Sequence, residues 1–178
     1  MLRRFLLLAG LLLLVVAGGG VAVARSSPSL SAEGPTKVDG TEAAPAFELA
    51  ERTIRQVRYV DGGTMRYTFR IHNDGRLPVT VAGLADDQAD SRLSTLTDLT
   101  ERTISGGETG EVTLSVTMSG CETLSARSGA FLTSVRVRTR QAGLFEDTVE
   151  LTLPEEVHTG SAREAFCPDS TATSRPPG

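Results

Sequence analysis

An all-β fold, with antiparallel strands packed in two layers, is what this sequence predicts, and three observations predict it. Between positions 46 and 167 apolar residues recur at every second position rather than every third or fourth, the period of a strand with one buried face. Clusters of Gly, Asn, Asp and Pro break that pattern every ~8 to 12 residues, as turns do between short strands. No stretch of the region carries an apolar repeat of helical period and length.

Taken in order, Ile54, Val57 and Tyr59 mark a weak strand before the turn Asp61-Gly62-Gly63. Met65, Tyr67, Phe69 and Ile71 then alternate with Arg66, Thr68, Arg70 and His72, giving a half-buried antiparallel strand. Asn73-Asp74-Gly75 supplies turn formers, Leu77-Pro78 restarts an extended chain, and Val79, Val81 and Leu84 carry the next strand with Gly83 as a bulge or bend. Asp86 to Thr103 is less regular and is expected to hold a short helical turn plus one strand. After the turn Ser105-Gly106-Gly107-Glu108, Val112, Leu114, Val116 and Met118 alternate with Thr113, Ser115, Thr117 and Ser119.

Two strands, Phe131 to Arg140 and Leu144 to Leu153, flank Gln141-Ala142-Gly143. A register with Val135 opposite Val149, Thr133 opposite Leu151 and Phe131 opposite Leu153 keeps apolar residues on one face. It sets Arg138 against Glu146 and Arg136 against Thr148, and leaves Asp147 facing Val137 as its one mismatch. A slip by one residue would turn the apolar set outward, so the pattern itself selects against it. Six or seven strands result.

The flanks differ from this body. Residues 1–25 begin with Arg3-Arg4, continue uncharged from Phe5 to Ala24 and close on Arg25. A cleavable signal peptide fits, with Ala22-Val23-Ala24 before a cut after Ala24. An uncleaved anchor fits as well, since ~20 apolar residues span a ~30 Å hydrocarbon core as a helix. In both cases the arginine pair stays cytoplasmic and the rest lies beyond the membrane, so the protein is expected at the cell membrane with an extracytoplasmic domain, or secreted if cut. The arginine pair lacks the spacing of a twin-arginine signal, and no Cys follows the run for lipidation. Residues 26–45, rich in Ser, Gly, Pro and Ala, are expected to be a flexible linker, and 168–178 a disordered tail.

Composition narrows function. A chain of 178 residues holds one ordinary domain, and a net charge of -4 with 4% aromatic residues and no Trp disfavours nucleic acid. Two cysteines in an exported chain, Cys121 and Cys167, point to one disulfide, contributing about 4 kcal/mol through the unfolded state. His72 and His158 read as solvated side chains, and no serine occupies a Gly-x-Ser-x-Gly turn. Met65 and Met118 fall on apolar faces, so core packing accounts for them better than copper ligation. Asp86, Asp87 and Asp90 form the best metal candidate, because calcium takes carboxylates from irregular loops, but their spacing fits no calcium-loop signature and a solvated loop is the plainer reading. Arg136, Arg138 and Arg140 form an outward stripe. It would serve an anionic partner, wall polymer or lipid head groups, or merely pair with Glu146 and Glu150 and protect the sheet from edge-to-edge association. Arg66 and Arg70 admit the same two readings.

The run Tyr67-Thr68-Phe69-Arg70-Ile71-His72-Asn73-Asp74-Gly75 with Pro78-Val79-Thr80-Val81 resembles the Asn-x-Gly hairpin of bacterial immunoglobulin-like domains. Ile104-Ser105-Gly106-Gly107-Glu108 is similar to the Gly-Glu turn such domains place before a late strand, as in small membrane-anchored or secreted bacterial proteins. The resemblance covers roughly Ala46 to Cys167 and implies an antiparallel immunoglobulin-like β-sandwich of about seven strands, preceded by one N-terminal hydrophobic helix. It implies no reaction. There is no core Trp, and neither Cys lies where the inter-sheet bridge of antibody domains would sit. The function expected is a non-enzymatic, extracytoplasmic interaction module without cofactor, tethered to the membrane by its N-terminal helix and bound to a protein or cell-envelope partner. The alternatives are an accessory subunit of an envelope or transport complex, joined through an exposed sheet edge, and a metal-dependent enzyme using Asp86, Asp87 and Asp90.

Overall fold

Alternating side chains close two sheets over one interior. The computed structural model describes residues 27–89, 91, 93–120 and 129–159. Among them run eleven strands: β1 (Leu30–Asp39), β2 (Glu42–Ala43), β3 (Phe47–Leu49), β4 (Arg52–Arg58), β5 (Thr64–Asn73), β6 (Val79–Leu84), β7 (Ser94–Leu99), β8 (Arg102–Ile104), β9 (Thr109–Met118), β10 (Phe131–Gln141) and β11 (Phe145–His158). One sheet has the order β1-β5-β9-β7; the other has the order β2-β4-β11-β10-β6-β8, with β3 added on β4. Met65, Tyr67, Phe69 and Ile71 of β5 and Val112, Leu114, Val116 and Met118 of β9 meet Val57, Val81, Val135, Val137, Leu151 and Val157 of the second sheet in a single buried cluster. Fully burying a side chain of this kind is worth about 1.5–3 kcal/mol, so this seam is what holds the sheets together.

The all-β expectation holds. The strand count does not, because β2, β3 and β8 are pieces of two or three residues that show no period, and β1 lies in the segment expected to be a linker. The sheets are also not wholly antiparallel: β4 runs parallel to β11, with Ile54 opposite Glu156 and Gln56 opposite His158. No helical turn occurs among the described residues between Asp86 and Thr103, where β7 and β8 lie instead.

The expected linker is corrected too. Residues 30–39 pair with β5, Leu30 opposite Asn73 and Val38 opposite Tyr67, and Leu30, Ala32 and Val38 pack on the core. Their alternation was diluted by small residues and broken at Gly34-Pro35-Thr36, where the register shifts between Glu33 and Lys37. A proline cannot donate to a ladder, so a bulge is the natural accommodation.

The β10–β11 register differs from the expected one by two residues: Val135 faces Leu151, Val137 faces Val149, and Gln141 faces Phe145. The expected pairing would set Gln141 against Gly143 with one residue to reverse the chain. Ala142-Gly143-Leu144 makes the turn instead, with Leu144 N donating to Gln141 O at 3.1 Å. A two-residue shift keeps every side chain on its expected face, and it moves Asp147 from Val137 to Thr139, whose Oγ1 donates to Asp147 O at 3.1 Å.

The chain enters at one end of the sheets, where Asp74 N donates to Ser29 O at 3.0 Å. Turns 74–78, 105–108 and 142–144 share this entry end. Buried Asn73 ties the first two together, its Nδ2 donating to Leu77 O at 2.9 Å and to Ile104 O at 3.1 Å, and Gly107 N donating to Asn73 O at 2.8 Å. A Cβ on Gly106 would lie 2.4 Å from Arg76 O, so only glycine allows these turns to touch.

Candidate functional site

Outward positions of β10 place Arg136, Arg138 and Arg140 on one face of the larger sheet, as the alternation requires, with Val135, Val137 and Thr139 turned inward. Their surroundings separate them. Arg140 pairs with Glu146 across the hairpin at 3.1 Å. Arg136 is bound by Asp87 from the β6–β7 connection, while Glu150, opposite it in register, accepts from Ser134 Oγ at 2.8 Å. The Arg138 side chain makes no ion pair or hydrogen bond among the described residues. Its guanidinium lies along Gly83, where a Cβ would stand 3.6 Å from Nη2 and the backbone has φ of 128°. A Cβ there would only touch the arginine, so it is the positive φ rather than the contact that favours glycine.

Arg138 borders two clefts. One, of about 510 Å³, runs between β6 and β7 and is lined by Gly83, Asp86, Gln88, Ser94, Thr97 and Asp98 among others. The second, of about 480 Å³, lies toward Glu101, Arg140, Glu146 and Asp147. Gln88 closes one end of the first: its Oε1 accepts from Arg136 N at 3.1 Å and its Nε2 donates to Ala85 O at 2.8 Å, so the side-chain amide continues the ladder where β6 leaves it. β8 pairs only with Val79, Thr80 and Val81, and no strand among the described residues covers that side of residues 82–84. The clefts are walled by carboxylates, amides and hydroxyls around the Arg138 guanidinium, a setting rich in hydrogen-bond donors and acceptors that suits a polar, hydrogen-bonding group.

Of the acidic trio, Asp86 lines the first cleft and Asp87 is committed to Arg136, while Asp90 lies outside the described residues. No group of three or more His, Cys, Asp or Glu side chains placed to hold a metal occurs among the described residues. Cys121 and Cys167 also lie outside them, as does the apolar run 5–24. Arg70 is held by Glu33 at 3.1 Å and by Gly34 O at 2.9 Å. His72 Nδ1 is 3.0 Å from Thr109 Oγ1, and the His158 ring stacks on Phe131 at 4.2 Å.

Two features escaped sequence reasoning. Beside that ring stack, Arg52 packs over Phe131 at 5.2 Å and clasps Glu156, holding its carboxyl below the usual carboxylate range. Phe47 and Leu49 of β3, on the other side of β4, are 41% and 55% exposed, an apolar outer edge. The second feature lies between the sheets, where Arg55 and Glu155 form a bidentate pair, Nε to Oε1 at 2.6 Å and Nη2 to Oε2 at 3.2 Å. Thr36 Oγ1 donates to Glu155 Oε1 at 2.7 Å and accepts from Arg55 Nη2 at 3.1 Å. The Tyr67 hydroxyl lies buried beside this cluster without a hydrogen bond; burial, reinforced by the Glu155 charge, pushes its pKa up. The parity of β11 carried this signal, because Glu155 occupies an inward position in step with Leu151, Leu153 and Val157.

No known family model matches the chain, and no curated protein sequence matches it.

Proposed function

We propose that the protein is an extracytoplasmic immunoglobulin-like module, tethered to the membrane by residues 5–24, that binds a protein or envelope partner without catalysing a reaction. The observation that carries the reading is strand order. With β1, β5, β9 and β7 as A, B, E and D, and β6, β10 and β11 as C, F and G, chain order and sheet order both agree with an immunoglobulin-type sandwich. Fold alone supplies no function, so the interaction claim rests on the clefts around Arg138. Capture from envelope extracts at several salt concentrations, with unaltered protein and with Arg138→Gln, tests it. A partner retained by the first and lost by the second is expected; no specific partner, or capture indifferent to the substitution, would sink the reading.

A second reading, an accessory subunit joined by strand addition, is favoured by residues 82–84 of β6, which no strand among the described residues pairs beyond the end of β8. The isolated protein would then self-associate or be unstable, and a monodisperse, thermally stable monomer would reject it.

The disulfide belongs to the same proposal. Thr159 N donates to Ala130 O at 3.1 Å, which holds the strand leading toward Cys167 beside the one coming from Cys121, each cysteine eight positions from that pairing or from Gly129. Intact mass of the exported protein reports both points, through the two-hydrogen loss of an oxidised pair and the presence or removal of residues 1–24.

A further inference from the structure

We infer that the entry end of the domain rests on the lipid surface, with Leu144 at the tip of the β10–β11 hairpin entering the bilayer interface; the inference rests on the anchored reading proposed above. Leu144 is 78% exposed, more than Phe47, Leu49, Val60 or Phe131, the other exposed large apolar residues among those described. It sits where the chain comes in. Asp74 N binds Ser29 O at 3.0 Å, and Ala142 N binds Pro78 O at 2.9 Å, so the entering chain, turn 74–78 and the hairpin tip form one surface.

A short tether keeps this surface near the membrane. Strand β1 starts at Leu30, and only residues 26–29 separate it from Arg25, at the end of the uncharged run Phe5 to Ala24. Five steps of extended chain reach at most about 17 Å. A spacer of the expected length would have let the domain stand well clear of the bilayer; a strand beginning at residue 30 keeps the entry end close to it.

A single leucine would not bring a free protein to a bilayer, because association first has to overcome the loss of translational and rotational freedom. In a tethered domain that freedom is already lost. Moving one leucine out of water then shifts the orientation equilibrium by about tenfold. Charge adds little, since exposed Arg76 is offset by Asp74 and Glu108, and Arg140 is occupied by Glu146. The contact is therefore apolar, and with three carboxylates against two arginines at this end it suits a zwitterionic surface rather than an anionic one.

The chain has no Trp, so one introduced tryptophan reports a single place. The full chain carrying Leu144→Trp, and separately Val60→Trp at the opposite end, is reconstituted in phosphatidylcholine vesicles with brominated acyl chains. Position 60 is 52% exposed and, like 144, outside the core, so both substitutions leave the fold intact. The Leu144→Trp variant is expected to lose more than half of its emission and the Val60→Trp variant almost none, with no change on adding salt. Flotation of the unaltered chain with plain vesicles separates the two claims. A chain that does not float overturns the anchor and this inference together. A chain that floats, with both variants quenched alike or the Leu144→Trp variant unquenched, overturns this inference and leaves the anchor standing.

Discussion

Arg55 of β4 grips Glu155 of β11 in the space between the two sheets, where the glutamate side chain is 4% exposed and the arginine 16%. β1 lies against the pair, with Thr36 bonded to both partners. Desolvating two ions offsets most of their attraction, but removing one leaves the other buried and uncompensated, at a cost of about 3–5 kcal/mol. Arg55→Met is therefore predicted to destabilise the protein by about 3 kcal/mol or more, and Arg55→Met with Glu155→Leu to recover to within about 1 kcal/mol of the unaltered chain. Urea unfolding measures both. A double variant as unstable as the single one would show that the charges do more than satisfy each other.

Both tyrosines of the chain are buried. Tyr59 donates to Ser119 O at 3.0 Å, and burial with the neighbouring Asp61 pushes its pKa up to about 12 from 10.0, while Tyr67 is raised as well. A phenol whose folded pKa exceeds its unfolded one favours the fold at every pH below 10.0; that contribution falls as pH rises and is gone once pH passes the folded value. Stability is thus expected to drop between pH 10 and about 12, with phenolate absorbance appearing only as the fold is lost. Phenolate absorbance rising near pH 10 in a protein with unchanged circular dichroism would contradict the burial assigned to these rings.

Asn73 is fully buried and organises the entry end through two side-chain donations, to Leu77 O and Ile104 O, while its Oδ1 accepts from Gly75 N at 3.0 Å. Replacing it leaves several backbone groups without partners. At roughly 1 kcal/mol per net bond and more for an orphaned buried group, Asn73→Ala should cost about 3 kcal/mol. Faster hydrogen exchange should appear in residues 74–78 and 105–108 and not in the distant β4–β5 turn. Thermal unfolding with exchange mapping tests this, and a loss below 1 kcal/mol would mean that the turns hold without the hub.

How far this was legible depended on whether a residue's neighbours were near in sequence. Met65 to Ile71 and Val112 to Met118 announced their strands because each contributes a full buried row, and Asn73-Asp74-Gly75 announced its turn because the chain reverses there. β1 was hidden, since Gly34 and Pro35 interrupt an alternation of small residues that becomes meaningful only against β5. β3 and β8 are too short to show any period. The arginine stripe was legible as a row, but the difference between Arg138 and its neighbours was not, because it depends on which carboxylates reach Arg136 and Arg140, and Asp87 comes from a separate loop.

The β10–β11 turn gives the last test, since hydrophobic parity left two registers open and only loop closure chose between them. Ala142 holds φ of 50° and Gly143 φ of 72°, so the turn needs two successive residues in the left-handed region and has a glycine at only one of them. A side chain in that region costs roughly 1–2 kcal/mol, and the freedom glycine adds to the unfolded chain returns about 0.4–1 kcal/mol. Ala142→Gly is therefore predicted to stabilise the protein by about 0.5 kcal/mol, keeping the bond from residue 142 N to Pro78 O. Ala142→Val should destabilise by more than 1 kcal/mol, because a branched side chain resists positive φ most. Comparing the two by denaturant unfolding decides the matter: a destabilising glycine at 142 would rule out a three-residue turn and with it the pairing of Arg140 with Glu146.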